Sequence, residues 1–304
     1  MKPAAMLRRS FLQTSLLAAG GISLRNKFPF SMFDIDPWNI RMLTDNAGVF
    51  TERGGTIGFH FSREGITVID AEFPDTAAHL IAALKQRNNG PFRLLINTHH
   101  HRDHTSGNIA FRDCTARVLA HENSLKNQKN VAVQNKIEDQ QYYPNNTFSS
   151  TWEEKAGKER IALYYFGAGH TDGDAMVHLQ HADIVHMGDL VFNRRHPFVD
   201  RTAGASMKSW MTVLERAMKQ FGSKTTFIFG HAADGYDVTG TLSDLSAFHD
   251  YLGNVLQYVG DAIRSGKTKE EILKTTTIPG SPEWKGDGID RPLQAAYEEL
   301  GSSS

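Results

Sequence analysis

Apolar and polar residues alternate in blocks along most of this chain, and the blocks read in turn as strands and helices. Asn46–Phe50 and Thr56–Phe61 are apolar-rich runs separated by Thr51-Glu52-Arg53-Gly54-Gly55, the composition of a hairpin tip. Ser62–Gly65 turns into Ile66-Thr67-Val68-Ile69, a strand that ends at Asp70. Residues 75–88 place Leu80, Ile81 and Leu84 at helical spacing before Asn88-Asn89-Gly90-Pro91 closes the helix. Phe92–Ile96 is a short apolar run of the kind that forms a buried strand. Similar runs recur at Ile161–Phe166, Asp183–Val185 and Phe227–Phe229. Residues 121–160 are rich in Asn, Gln, Lys and Glu, which predicts a polar helix and an exposed loop, Tyr143–Asn146, over the strand ends. Ser243–Arg264 is helical, with Leu245, Phe248, Leu252, Val255, Leu256, Val259 and Ile263 on one face. After Gly266 come a short helix at Lys269–Leu273, a Pro/Gly loop and a last turn near Leu293–Leu300. Strands alternating with helices imply a layered α/β fold.

Composition narrows the class. The chain has 304 residues, 40% hydrophobic and 22% charged, enough for a substantial core of ordinary globular make-up. The formal charge is −1, with Lys and Arg spread along the chain. That leaves no basic patch or stripe and points to no nucleic-acid partner. Cys114 is the only cysteine, so no intramolecular disulfide forms, and it reads as a small buried hydrophobe. The N-terminus, Leu7-Arg8-Arg9-Ser10-Phe11-Leu12 followed by Thr14–Gly20, resembles a twin-arginine export signal: a basic segment, then an apolar stretch too short for an ordinary membrane span. It implies passage through the twin-arginine export machinery and a periplasmic location. No clean Ala-x-Ala cleavage site follows, which leaves a membrane tether open. The expected organisation is a signal and linker over 1–30, one α/β domain over 35–265 and a helical and loop extension over 266–304.

The candidate chemistry lies at the strand ends. Asn97-Thr98-His99-His100-His101-Arg102-Asp103-His104 follows Phe92–Ile96 directly. Imidazole nitrogen and carboxylate oxygen are ligands that a borderline dication takes. An extended segment alternates its side chains, so His99, His101 and Asp103 converge while His100 and Arg102 point away, and a tight turn carries His104 to the other side of Asp103. This spacing suits two adjacent metals. Three later corners repeat the design, each a β-rich run followed by a small residue and a ligand-type side chain: Gly167–Asp174 with His170, His186-Met187-Gly188-Asp189, and Phe227–His231.

In that order, His-x-His-x-Asp-His, then His, Asp and Gly-His, the chain resembles the metallo-β-lactamase superfamily over residues 40 to 235. The resemblance implies an αββα sandwich with the metals at one edge between the sheets. It implies His99, His101 and His170 on a first metal, Asp103, His104 and His231 on a second, and Asp189 between them. Two zinc ions are the implied cofactor, with iron or manganese as alternatives. A hydroxide between the metals would attack a carbonyl of a small amide, lactone, ester or thioester, and Asp103 would orient it. Asp at position 189 is similar to the glyoxalase II and lactonase type of site, whereas the clinical lactamases usually carry Cys or Ser there. A β-lactamase proper and a mononuclear iron persulfide dioxygenase are the alternative readings, and a non-catalytic zinc protein is a third. Asp70 and Asp174 are candidates to hold ligand imidazoles from behind, and Asn193, Arg194 and Arg195 to meet an anionic substrate group. The other histidines are expected off the site: His178, His181 and His186 around a water-facing hairpin, and His60, His79, His121, His196 and His249 scattered.

Overall fold

The computed structural model describes residues 38–301. The twin-arginine segment lies outside them. The first sheet is built in chain order from β1 (Asn39–Met42), β2 (Ala47–Thr51), β3 (Ile57–Ser62), β4 (Gly65–Ile69), β5 (Phe92–Ile96), β6 (Val118–His121) and β7 (Asn146–Phe148). β1 to β4 pair antiparallel, and β4 to β7 pair parallel through crossovers. The crossovers carry α1 (Pro74–Arg87), α2 (Arg102–Thr105) and α3 (Glu122–Asn135). β8 (Thr151–Ala156), β9 (Glu159–Tyr164), β10 (Met176–Leu179) and β11 (Ile184–His186) form an antiparallel run in the second sheet. β12 (Phe192–Asn193) and β14 (His231–Ala232) make a separate parallel pair. β13 (Thr226–Ile228) and β15 (Thr239–Gly240) complete the second sheet, in the order β15-β13-β11-β10-β9-β8. Three helices follow or interrupt these strands in the C-terminal half: α4 (Met207–Gln220), α5 (Leu242–Arg264) and α7 (Asp290–Gly301), with the short α6 (Lys269–Ile272) between the last two.

Period-two alternation sorts the strand residues into layers. On β5, Leu94 and Ile96 face the second sheet, where they pack with Ile161, Leu163, Val177 and Ile228. Leu95 faces outward onto Leu80 and Leu84 of α1, and Phe92 joins it because the β4–β5 register shifts between Phe92 and Leu94. On the far side, Met176, Val185 and Phe227 turn toward Trp210 and Leu214 of α4 and Phe248 and Leu252 of α5. Three apolar layers between two outer helix layers and two sheets make an αββα sandwich, as expected. Leu293, Ala295 and Ala296 of α7 belong to that outer core. Glu299 fixes the helix further by accepting from Ser206 Oγ and from the backbone N–H groups of Met207 and Lys208 at the start of α4. Among the described residues no helix is long and apolar enough to cross a membrane.

Several expectations need correction. Tyr143–Asn146 does not arch over the strand ends. Asn145 bonds the backbone of Val118 and Ala116, and Asn146 opens the edge strand β7. The asparagines there serve sheet pairing. His186 does not face water: it is buried, with Nε2 3.0 Å from Thr56 O and Nδ1 accepting from Gly188 N–H. His178 is half-buried against Phe221 and Tyr164. His60, His121 and His196 are buried too, the last two held by Ser149 O and Tyr251 Oη. Cys114 is half-buried rather than enclosed.

Candidate metal centre

The β5 end delivers the His-rich octet into a cleft at one edge of the sandwich. Asp70, at the end of the neighbouring β4, adopts φ 67°, a left-handed conformation that costs a non-glycine residue roughly 1–2 kcal/mol. Its carboxylate accepts from Thr98 N–H at 2.7 Å, from Thr98 Oγ1 at 2.7 Å and faces His104 Nδ1 at 2.8 Å. Thr98 Oγ1 in turn lies 3.1 Å from His99 Nδ1. One strand-end carboxylate therefore fixes two imidazoles, directly and through a threonine. Asp174, by contrast, accepts from Thr171 N–H and Thr171 Oγ1 at 2.8 and 2.6 Å. It shapes the loop after His170 and does not touch a ring; burial pushes its carboxyl up to about 7.

The five imidazoles turn one nitrogen each toward a common centre. His99 Nε2 lies 3.1 Å from His101 Nδ1, and His170 Nε2 lies 2.8 Å from the same atom. Donors sharing one tetrahedral zinc at 2.0–2.1 Å would stand about 3.3 Å apart, so these separations fit a single ion with slight relaxation. Outward nitrogens meet oxygen: His170 Nδ1 is 2.8 Å from Phe198 O, and His101 Nε2 is 3.0 Å from Asp200 Oδ2. His104 Nε2 and His231 Nε2 lie 3.8 and 3.1 Å from Asp103 Oδ2. His99, His101, His170 and Asp189 form one group, and Asp103, His104 and His231 a second, each with its ligand atoms within 4.8 Å of one another. Asp189 touches both: Oδ2 is 3.9 Å from His99, 3.4 Å from His170 and 3.4 Å from His231, and Oδ1 is 3.0 Å from His104 Nε2. The last two atoms are buried, and close as they are, their geometry is not that of a hydrogen bond. Buried polar atoms without such partners are costly, and a cation between them would satisfy both.

The electrostatics are those of a cation site. Burial alone would raise the Asp189 carboxyl, but His231 and His104 hold it well below the usual carboxylate range. Asp103 is likewise depressed against its own burial, mainly by His104. Burial lowers His99 and His170, the latter to about 3. These rings present neutral nitrogen lone pairs, the form that ligates metal. Burial pushes His231 down, but Asp189 and Asp103 together push it up further, to about 9.

The sequence missed two residues here. Asp200 sits 3.0 Å from His101 Nε2 and 3.5 Å from His100 Nε2, so His100 is buried beside the cluster instead of turned away. Glu72 is fully buried and accepts the backbone N–H groups of Glu52, Arg53 and Gly54 at 3.0–3.1 Å. It pins the β2–β3 tip against the octet, where Gly55 N–H donates to Asp103 O at 2.9 Å. Asn193 and Arg194 do not line the cleft. Asn193 donates to Asp237 O, and Arg194 pairs with Asp244 at 3.3 Å while lying 5.0 Å above the Trp284 ring. Of the three candidates only Arg195 lines the cleft.

A cluster of this composition at the edge of an αββα sandwich fits metal binding, and the chain belongs to the metallo-β-lactamase superfamily, typically metallo-hydrolases, whose family model matches residues 56–248. Among curated proteins it is similar to a metallo-beta-lactamase type 2 of Bacillus cereus, 25% identical over 65% of this chain and 77% of that one. A second such protein, from Bacillus sp. (strain 170), is 23% identical over the same shares. Among solved structures, a metallo-beta-lactamase from Pontibacter korlensis superposes with TM-score 0.59 at 21% identity, covering 71% of this chain and 99% of that one. A variant of the sec-alkyl sulfatase PisA1 gives 0.66 at 13% identity, over 86% of this chain and 50% of its own. At these identities the structures speak for the fold alone. The superfamily binds metals, typically zinc, and the His/Asp groups described fit metal binding.

Proposed function

We propose that this protein is a dinuclear zinc hydrolase acting on a carbonyl of a small amide, lactone, ester or thioester. The observation that carries the reading is the position of Asp189, whose two oxygens face both histidine groups. His99, His101 and His170 would hold one ion, Asp103, His104 and His231 the other, and Asp189 would bridge them. Bound dications make water nucleophilic near neutral pH and polarise a substrate oxygen. The chain's own part is to orient. Asp70 and Asp200 fix the tautomers of His104 and His101, and Asp103, 34% exposed in the cleft, orients the attacking oxygen. Phe192, stacked on His231 at 5.4 Å, and Phe198 keep one wall apolar. The N-terminal Arg8-Arg9-Ser10-Phe11-Leu12 supports export by the twin-arginine route to the periplasm.

The Bacillus relatives favour a β-lactamase as the second reading. Elemental analysis of protein purified without added metal, with hydrolysis of a chromogenic β-lactam and of a simple lactone, tests both. About two zincs per chain with turnover is expected. One iron and no hydrolysis would favour the dioxygenase alternative and overturn the proposal. Asp189→Ala is expected to lose one or both ions and most activity; near-normal activity would remove Asp189 from its bridging role.

A further inference from the structure

The cleft above the metal centre has a volume of about 290 Å³, room for a small molecule. Three arginines line it: Arg102 from α2, Arg195 from the loop after β12 and Arg291 from α7. All three are exposed. Among the described residues none of them has a carboxylate within ion-pair distance, although most arginines elsewhere on the molecule do, such as Arg41 with Asp237 and Arg194 with Asp244. Unpaired guanidinium groups around a small cleft are a ready receptor for a planar or tetrahedral oxyanion, because their N–H forks match its oxygens. The apolar complement is Phe198, 44% exposed at the same cleft. Arg291 also lies beyond the stretch that the family model matches. Its helix is held in place by the Glu299 contacts on α4 and by the Leu293 and Ala296 packing, so its position does not depend on a loose tail.

We propose that Arg195 and Arg291, with Arg102, form an anion clamp that selects substrates carrying a compact oxyanion, carboxylate or sulfate, joined to an apolar arm that packs on Phe198. The inference rests on the hydrolase reading for the site it serves. The clamp makes no bond to the scissile group; it positions the substrate over the metal centre.

The test is calorimetric titration of zinc-loaded full-length protein with three probes that share a phenyl arm: phenylacetate, phenyl sulfate and the neutral phenylacetamide. At least one anion is expected to bind about tenfold more tightly than the amide, and the tighter of the two names the group that the clamp prefers. Arg195→Ala and Arg291→Ala should each weaken that anion about five- to tenfold and leave the amide within about twofold. Arg291→Lys should fall between, since it keeps the charge and loses the fork. Arg264→Ala, on the exposed side of α5, controls for lost positive charge and should change nothing. Zinc content and circular dichroism establish that each variant is folded and loaded. Anion affinity that survives in both arginine variants would mean that the anion sits on metal only, and it overturns the clamp. Equal binding of anion and amide, or no anion binding, overturns it as well. Turnover without anion discrimination would sink the clamp and leave the hydrolase reading standing; anion discrimination without any turnover would do the reverse.

Discussion

At the scale of single residues, the second nitrogen of each imidazole decides what the first can do. His101 turns Nδ1 into the cluster because Asp200 takes Nε2. Second-partner carboxylates of this kind are worth roughly 10–100-fold in metal affinity. Asp200→Asn is therefore expected to weaken the ion held by His99, His101 and His170 by about that factor in a chelator competition, with the other ion and the circular dichroism spectrum little changed. An unaltered affinity would make Asp200 a loop-shaping residue only, through its bonds to Thr202 and Ala203. His231 gives a pH dependence. In the metal-free protein burial lowers it, Asp189 and Asp103 together raise it further, and it titrates at about 9. It is protonated at neutral pH, and an ion must displace that proton. Zinc affinity should rise as pH climbs through about 9; a flat profile from neutral pH upward would refute the assignment. By the same sign, the stabilisation that this ion pair gives the metal-free fold is complete below the ordinary histidine pKa and fades as pH passes about 9. The ligand-type residues were legible in sequence because strand ends bring them in clusters. Asp200 was not, since it stands 99 positions from His101 and only the loop after β12 returns it. Of the three candidates after Asp189 only Arg195 reaches the cleft: Arg194 has φ 57°, a left-handed turn that swings its side chain away from the cleft.

At the scale of elements, the β2–β3 tip does more than reverse the chain. Its glycines read as turn residues, but the structure gives Gly55 another reason to be small. A Cβ there would overlap the His104 ring, and the tip is pinned at that distance by Glu72. Gly55→Ala should displace His104, so that zinc content falls from about two toward one per chain while far-ultraviolet circular dichroism stays native. Two fully occupied sites in that variant would show that the tip yields instead. The helices α1 and α5 were readable to within a residue or so, because each has a clean apolar face and a stop signal. The polar stretch around residue 143 carried no such pattern. Its asparagines satisfy backbone groups beside an edge strand, a use of polarity that composition cannot distinguish from a solvated loop. Nor did the spacing of α7 foretell that its first turn would reach the cleft, since that depends on how α4 and α5 seat it.

At the scale of the whole molecule, the layered fold followed from alternating strands and helices, and the edge location of the site followed from where the ligand-bearing corners fall. The first sheet supplies Asp70 and the octet; corners of the second supply His170, Asp189 and His231, with β14 carrying the last. Below them the sheets adhere through side-chain packing and a few ion pairs, among them Arg93 and Arg117 with Glu154. Ions in the proposed positions would be a clasp across the open edge of the sandwich. Cohesion of the two halves would then follow ion supply: above the dissociation constant, each tenfold rise in free ion adds about 1.4 kcal/mol to the folded state. The protein would be robust where zinc is plentiful and would loosen first along this edge where it is scarce, a metal economy written into the architecture and separate from any turnover.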